Sequence, residues 1–289
     1  MSATNDKTKV INPEEDTQIG ELLEKTRSIN KLLQSGENVE YGGISKVLSN
    51  ILSANVYITN KQGSILGYSF IDNFECDLMI DNVISNGEFP KHYVNWLQKV
   101  EKTAANRRSK RGKCAYKENE VCRMHGKVTT IVPIYGGGDR MGTLILAKYE
   151  EEFTAGDLLL AEYGATVVGM ELLRDRTQKI EIDARKRAAV RTALDTLSSS
   201  EKHAVVNIIE ALDGIDGLLV TSNIAESKNI TRSVVVNALR KLESAGVIKS
   251  KSLGMKGTYI RVLNEYLLTE TPKLQQELKA FEEALRKAE

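Results

Sequence analysis

The residues best placed to do chemistry together lie between Thr231 and Val262, TRSVVVNALRKLESAGVIKSKSLGMKGTYIRV. Arg232, Ser233, Asn237, Arg240 and Lys241 recur at spacings that gather them on one side of a helix. Each carries donors suited to base edges and phosphate oxygens in a DNA major groove. Lys251 and Lys256 follow on a β-type hairpin with the tip Leu253-Gly254-Met255-Lys256-Gly257, and Ser222 stands on a short helix upstream. From Thr221 to Val262 there are eight Lys or Arg (Lys228, Arg232, Arg240, Lys241, Lys249, Lys251, Lys256, Arg261) against Glu226 and Glu243, a balance of +6 in a chain of formal charge +1. Such segregation is the electrostatic footprint of a duplex-binding module joined to a neutral or acidic domain. A solvated basic face would account for the charge but not for helix, stop and hairpin in that order.

Holding these side chains in place requires a scaffold, and the sequence supplies one. Thr231 is placed to cap the helix through its hydroxyl, while Val235, Ala238, Leu239 and Leu242, three and four apart, give it a buried stripe. Gly246 ends it at a position that demands positive φ. Val247 to Lys251 and Thr258 to Leu263 then pair as a wing. Upstream, Ser222 to Lys228 is a short first helix, with Ala225 small enough for a close crossing and Asn229-Ile230 as the turn. Ser198 and Glu201 form a capping box for a helix from Ser199 to Leu212, which ends in Asp213-Gly214-Ile215-Asp216-Gly217.

A second concentration of large apolar groups, Phe74, Met79, Ile80, Val83, Phe89, Pro90, Tyr93 and Trp96, lies between Ile71 and Lys127. Taken alone it suits a satellite core under a loop as well as a ligand cavity. Cys76, Cys114 and Cys122 are an odd number and make no secreted disulfide framework. Cys122 and His125 have metal-ligand spacing, but the irregular pairs fit free core thiols, and no metal ligand is assigned. Only three histidines occur (His92, His125, His203). No nucleophile with a base is visible, so no catalytic residue and no tightly bound cofactor is assigned, and the chain reads as a non-enzyme. Gly136-Gly137-Gly138-Asp139 joins two β-runs and is a hairpin turn rather than a phosphate loop, since no Lys-Ser/Thr follows.

The remaining periodicity predicts an α+β protein. Helices over Ile19–Leu33 and Gly43–Ala54 and strands over Asn55–Thr59, Ser64–Tyr68, Val128–Tyr135 and Arg140–Lys148 make an antiparallel sheet with helices on one side. Asp157 to Leu197 reads as one helix, apolar as far as Leu173 and then carrying nine charges between Arg174 and Arg187. The expected division is a polar, disordered extension over 1–18, a sensor-like domain over 19–156, a linker helix over 157–197, the DNA module over 198–268 and a charged amphipathic helix over 269–289. No apolar run approaches the ~20 residues that cross a bilayer. The start of the chain lacks a hydrophobic signal core. No membrane partner is expected, and the location is cytoplasmic.

NITRSVVVNALRKLESAGVIKSKSLGMKGTYI, from Asn229 to Ile260, resembles the winged helix-turn-helix of the CodY family of bacterial global regulators. TTIVPIYGGGDRMGTLIL, from Thr129, and LLLAEYGATVVGMELLR, from Leu158, are similar to that family's GAF sensor domain and linker helix. The likeness covers most of Glu21 to Leu268 and is loosest from Ile71 to Lys127. It implies a homodimer on an AT-rich inverted repeat in double-stranded DNA, mainly repressing genes of nutrient limitation. It also implies a small-molecule effector: isoleucine, leucine or valine, with GTP as a second. Phe89, Pro90 and Tyr93 fall on the family's Phe-Pro-x-x-Tyr pattern, Met79, Ile80 and Val83 continue its apolar wall, and Tyr116 stands in the second pocket segment. The family's arginine for the effector carboxylate has no counterpart, because ungapped alignment puts Met79 in its place. Arg107, Arg108, Lys117 or Arg123 must replace it, or the effector is different. Asn60-Lys61-Gln62-Gly63 likewise lacks the arginine run implied for GTP. Two alternatives stand beside this one: a constitutive DNA binder with a degenerate sensor, and a regulator answering another small molecule or a metal or redox signal.

Overall fold

The computed structural model describes residues 17–34, 40–71, 76–108, 126–212, 214–227 and 230–288, together with Cys114, Tyr116 and Cys122. They form two compact units whose boundary falls inside a helix, between Arg176 and Thr177. The extension expected over 1–18 lies outside the described residues as far as 16, and Thr17 and Gln18 already belong to the first helix.

The first unit runs α1 (Thr17–Gln34), α2 (Tyr41–Leu52), β1 (Asn55–Asn60), β2 (Ile65–Ser69), α3 (Asp77–Met79) continuing as π-helix over Ile80–Ile84, α4 (Lys91–Gln98), β3 (Ala104–Arg108), β4 (Lys127–Gly136), β5 (Asp139–Tyr149) and α5 (Ala155–Asp195). The sheet order is β2-β1-β5-β4-β3, antiparallel throughout. Strand alternation sorts its two faces. Val56, Ile58, Val132, Leu144 and Leu146 pack with Ile29, Ile44, Leu48, Leu160 and Val168 of α1, α2 and α5. Tyr57, Ile131 and Ile145 face the other way, beneath Met79, Val83, Phe89, Tyr93 and Leu97.

Two expectations are corrected here. A fifth strand, β3, joins the sheet, and helices cover both faces rather than one. Ala-Ala-Asn-Arg-Arg has no β-branched or aromatic residue to announce a strand. Its placement is tertiary: Asn106, at φ +51, receives Phe153 N–H on its Oδ1 at 2.8 Å and donates its amide to Phe153 O at 3.0 Å.

The three consecutive glycines do different work. Gly137 and Gly138 both have positive φ, as a two-residue hairpin turn requires. Gly136 instead admits α5: a Cβ on Gly136 would lie 2.7 Å from Gly169 O, and one on Gly169 would lie 2.1 Å from Tyr135 O. Helix and hairpin therefore meet backbone to backbone.

From residue 176 to 189 every side chain of α5 is exposed, as its run of charges demands. Val190, Ala193 and Leu194 then enter the core of the second unit. That unit comprises α6 (Ser199–Leu212), β6 (Asp216–Leu219), α7 (Thr221–Ser227), α8 (Arg232–Ser244), β7 (Ile248–Ser252), a 3-10 turn over Gly254–Lys256, β8 (Thr258–Val262) and α9 (Tyr266–Ala288). Ser198 N–H donates to Glu201 Oε2 at 2.8 Å and Glu201 N–H to Ser198 Oγ at 3.3 Å, a reciprocal capping box.

Three further corrections belong to this unit. Asp216 and Gly217 are not turn but the start of β6, which pairs with β8 and makes the wing sheet three-stranded. The last helix begins at Tyr266, and its Leu267, Leu274 and Leu278 are buried in the same core as α8, so 269–289 is no separate segment. Thr231 occupies the cap position, yet its hydroxyl meets Ser233 Oγ at 2.8 Å and makes no cap bond to the backbone.

Candidate functional site

α8 is held by Val235, Ala238, Leu239 and Leu242, all buried, and α7 contributes Ile224 and Ala225 to the same core. This leaves Arg232, Ser233, Asn237 and Arg240 exposed on one side of α8. Val236 stands among them, 37% exposed, an apolar group that the polar pattern did not single out. Such a methyl-bearing side chain can meet a thymine methyl while its neighbours reach base edges and phosphates. Ser222 is half-buried on α7, and Lys251 and Lys256 are exposed on the wing. Cross-strand register puts Lys249 opposite Arg261 and Lys251 opposite Tyr259, so both pairs share the outer face of the wing sheet.

Lys241 is placed differently from its neighbours. Its ammonium lies 2.7 Å from Glu201 Oε2 and 3.1 Å from Thr196 O. That contact, then burial, then the Ser198 bonds act on Glu201, and the net effect holds its carboxyl below the ordinary range. Lys241 thus ties α8 to the capping box of α6, and of the expected DNA-facing side chains it is the one committed to the fold.

The aromatic cluster of the first unit centres on Phe89. Its ring lies 6.0 Å from Tyr57, 5.4 Å from Tyr93 and 5.9 Å from Tyr116, and Tyr93 and Tyr116 are 5.5 Å apart. Met79 and Val83 are fully buried against it. Pro90, half-buried, caps α4 with an extended backbone. Ile80 does not continue the wall: it is 40% exposed, because the π-helical turn that it opens rotates it outward.

Of the cations expected to face an effector, Arg107 lies over the Trp96 ring at 5.3 Å and Arg108 is 3.4 Å from Glu152. Lys117 and Arg123 lie outside the described residues. The cation found at the cluster is one that sequence spacing missed: Lys127 donates to Tyr116 OH at 3.0 Å and lies 4.8 Å over its ring. Cys76, Cys114 and Cys122 are half-buried and outside any disulfide. Burial pushes the Cys76 thiol up. His125 and Phe74 lie outside the described residues. The turn after β1 is closed by Asn60, whose Oδ1 accepts Ser64 N–H at 2.9 Å, and Lys61 O accepts the Gln98 amide at 2.8 Å. Among the described residues no helix is long and apolar enough to cross a membrane.

An antiparallel sheet with an aromatic cluster on one face, in the first unit, and a winged helix-turn-helix with an exposed basic recognition face, in the second, define a DNA-binding transcriptional regulator. Comparison with known proteins gives the particular kind. The CodY GAF-like domain matches residues 21–196 and the CodY helix-turn-helix domain matches residues 215–275. The global transcriptional regulator CodY of Clostridium perfringens is 52% identical over 255 residues, covering 88% of this chain and 98% of that protein. Its counterpart in Clostridium tetani is 51% identical with the same coverage. The cofactor-binding GAF domain of the nutrient sensor CodY from Clostridium difficile is 34% identical, spanning 53% of this chain and 97% of that one at a TM-score of 0.37. The chain belongs to the CodY family, whose members are transcriptional regulators and not enzymes.

Proposed function

We propose that this chain is a cytoplasmic, nutrient-responsive global regulator, mainly a repressor, that binds AT-rich inverted repeats as a homodimer and reads a small effector in its aromatic cluster. The observation that carries it is the exposed row Arg232, Ser233, Asn237 and Arg240 beside a basic wing. Dimerisation is supported by α5, where the exposed Leu159, Met170, Leu173 and Ile180 recur along a single stripe. Effector coupling is supported by two links to the start of α5: Asn106 to Phe153, and Lys148 Nζ to Asp157 Oδ2 at 2.9 Å. A ligand held against Phe89, Tyr93 and Tyr116 would act on α5 through them.

Branched-chain amino acids are the first effectors to test and GTP the second. A fully buried Met79 where the family resemblance places arginine favours an effector held in another way. The experiment is fluorescence anisotropy of the full chain on an AT-rich inverted-repeat duplex and on its scramble, with and without isoleucine, leucine, valine and GTP. A preference of about 10³-fold or more for the repeat, changed by an effector, is the expected result. Equal binding to both duplexes removes the regulator reading, and indifference to every effector removes the sensor.

A further inference from the structure

Two buried hydrogen-bond donors on one face of the first sheet have no acceptor, and an ammonium whose described hydrogen bond is to a phenol stands beside them. Lys127 and Tyr149 are direct cross-strand partners, and the next row inward holds Thr129, Ala147 and Asn55. Strand parity puts all three donors on the face of Tyr57, Ile131 and Ile145, beside the aromatic cluster. Asn55 is wholly buried, and its Oδ1 accepts Ile71 N–H at 2.9 Å, which fixes the amide orientation and leaves Nδ2 without a partner. The Tyr149 hydroxyl is likewise buried and unpartnered. Among the described residues the Lys127 ammonium meets Tyr116, and no carboxylate there pairs with it.

We propose that Asn55, Lys127 and Tyr149 form the anion-holding end of the sensor pocket and take the carboxylate of a small ligand whose apolar body lies against Phe89, Tyr93 and Tyr116. The assignment rests on the sensor reading above and specifies which end of the ligand is fixed, and by what. A carboxylate is acceptor-only, with two oxygens to share among donors, so it matches an amide N–H, a phenol O–H and an ammonium on adjacent rows. The same carboxylate without a positive partner would be strongly disfavoured in a buried site. Burial, opposed by Lys127, pushes the Tyr149 phenol up to about 12, so at neutral pH it remains a donor.

The test uses the full chain and its single tryptophan, Trp96, whose ring lies 5.5 Å from Tyr93. Its fluorescence is titrated with 4-methylpentanoate and leucine, with the amide of each, and with inorganic phosphate. The acids should bind at least tenfold more tightly than their amides. Lys127→Met and Tyr149→Phe should each weaken the acids about tenfold or more while leaving the amides unchanged, and Lys127→Arg should restore most of the loss. Tyr149→Phe should not lower the unfolding temperature of the unliganded chain, since it removes a hydroxyl that bonds to nothing, and this separates binding from folding. Equal affinity for acid and amide, undiminished acid binding in both variants, a stronger response to phosphate, or no response to any probe overturns the assignment. If operator affinity still answers an effector equally in wild type and variants, the sensor reading stands and only this assignment falls.

Discussion

Glu243, near the end of α8, grips the wing through Ser250: one carboxylate oxygen accepts the Ser250 N–H at 2.9 Å and the other its hydroxyl at 2.8 Å. One of the two acids in the basic segment therefore sets the angle between recognition helix and hairpin. Glu243→Ala should cost about 0.5–1.5 kcal/mol of stability and weaken binding to the inverted repeat. The Ser250 bonds hold this carboxyl below the ordinary glutamate range. Their contribution is therefore complete above the unfolded-state value and is lost as pH falls through the folded one. Chemical denaturation of wild type and variant across acidic pH would show it, and parallel curves would count against the contact.

Arg240 and Lys241 are adjacent in sequence and should behave in opposite ways. Arg240→Ala should leave the unfolding temperature unchanged, weaken DNA binding and reduce the salt slope by about one. Lys241→Ala strips a cation from a carboxylate that is 9% exposed and should cost about 1–3 kcal/mol of stability. Calorimetry beside salt-dependent anisotropy on both variants separates the roles. Asn237→Ala should instead relax preference among duplex sequences.

Lys148 and Asp157 form an ion pair with side chains only 10% and 15% exposed, at the point where β5 hands over to α5. Removing one partner of such a pair costs about 3–5 kcal/mol, which is the expectation for Lys148→Met. Burial alone would raise the Asp157 carboxyl, but Lys148 and the Thr154 backbone and hydroxyl outweigh it and hold it low. The stabilisation is present above the ordinary aspartate range and disappears as pH falls through the depressed value. Asp157→Asn should flatten the acid limb of a thermal-unfolding profile, and an unchanged limb would refute the pairing.

Gly169→Ala sets a methyl 2.1 Å from the Tyr135 carbonyl oxygen, so α5 must lift from the β4–β5 hairpin. Overpacking of this kind costs about 1–3 kcal/mol. Gly138, at φ +87 with nothing within 4 Å, is limited by backbone conformation alone. Gly138→Asn should be nearly neutral, because asparagine tolerates that region. Comparable losses in the two variants would mean the close approach is unimportant.

The parts of this fold that were legible are those in which local chemistry and burial agree. The apolar stripe of α8, the box at Ser198 and Glu201, the positive φ of Gly246 and the hairpin glycines all follow from a few neighbouring residues. Strands β3 and β6 were hidden because their pairing is dictated by distant partners, Phe153 in one case and β8 in the other. The committed role of Lys241 depends on Glu201, forty positions away in sequence. Ile80 was misplaced by a π-helical turn that changes the phase of an apparently regular stripe. The grouping of Asn55, Lys127 and Tyr149 needs the registers of three strands, which no local pattern contains.

Between residues 176 and 189 every residue of α5 is exposed, and near the end of that stretch Lys186 O accepts from Asn264 Nδ2 at 2.8 Å. Short helices with little tertiary support fray in water, so this stretch depends on the buried anchors that flank it, Val168 on one side and Val190 on the other. Its amide protons are thus a built-in gauge. Deuterium uptake there would rise or fall with the firmness of either anchor, reporting in one measurement whether a ligand tightens the amino-terminal end or DNA the carboxy-terminal one.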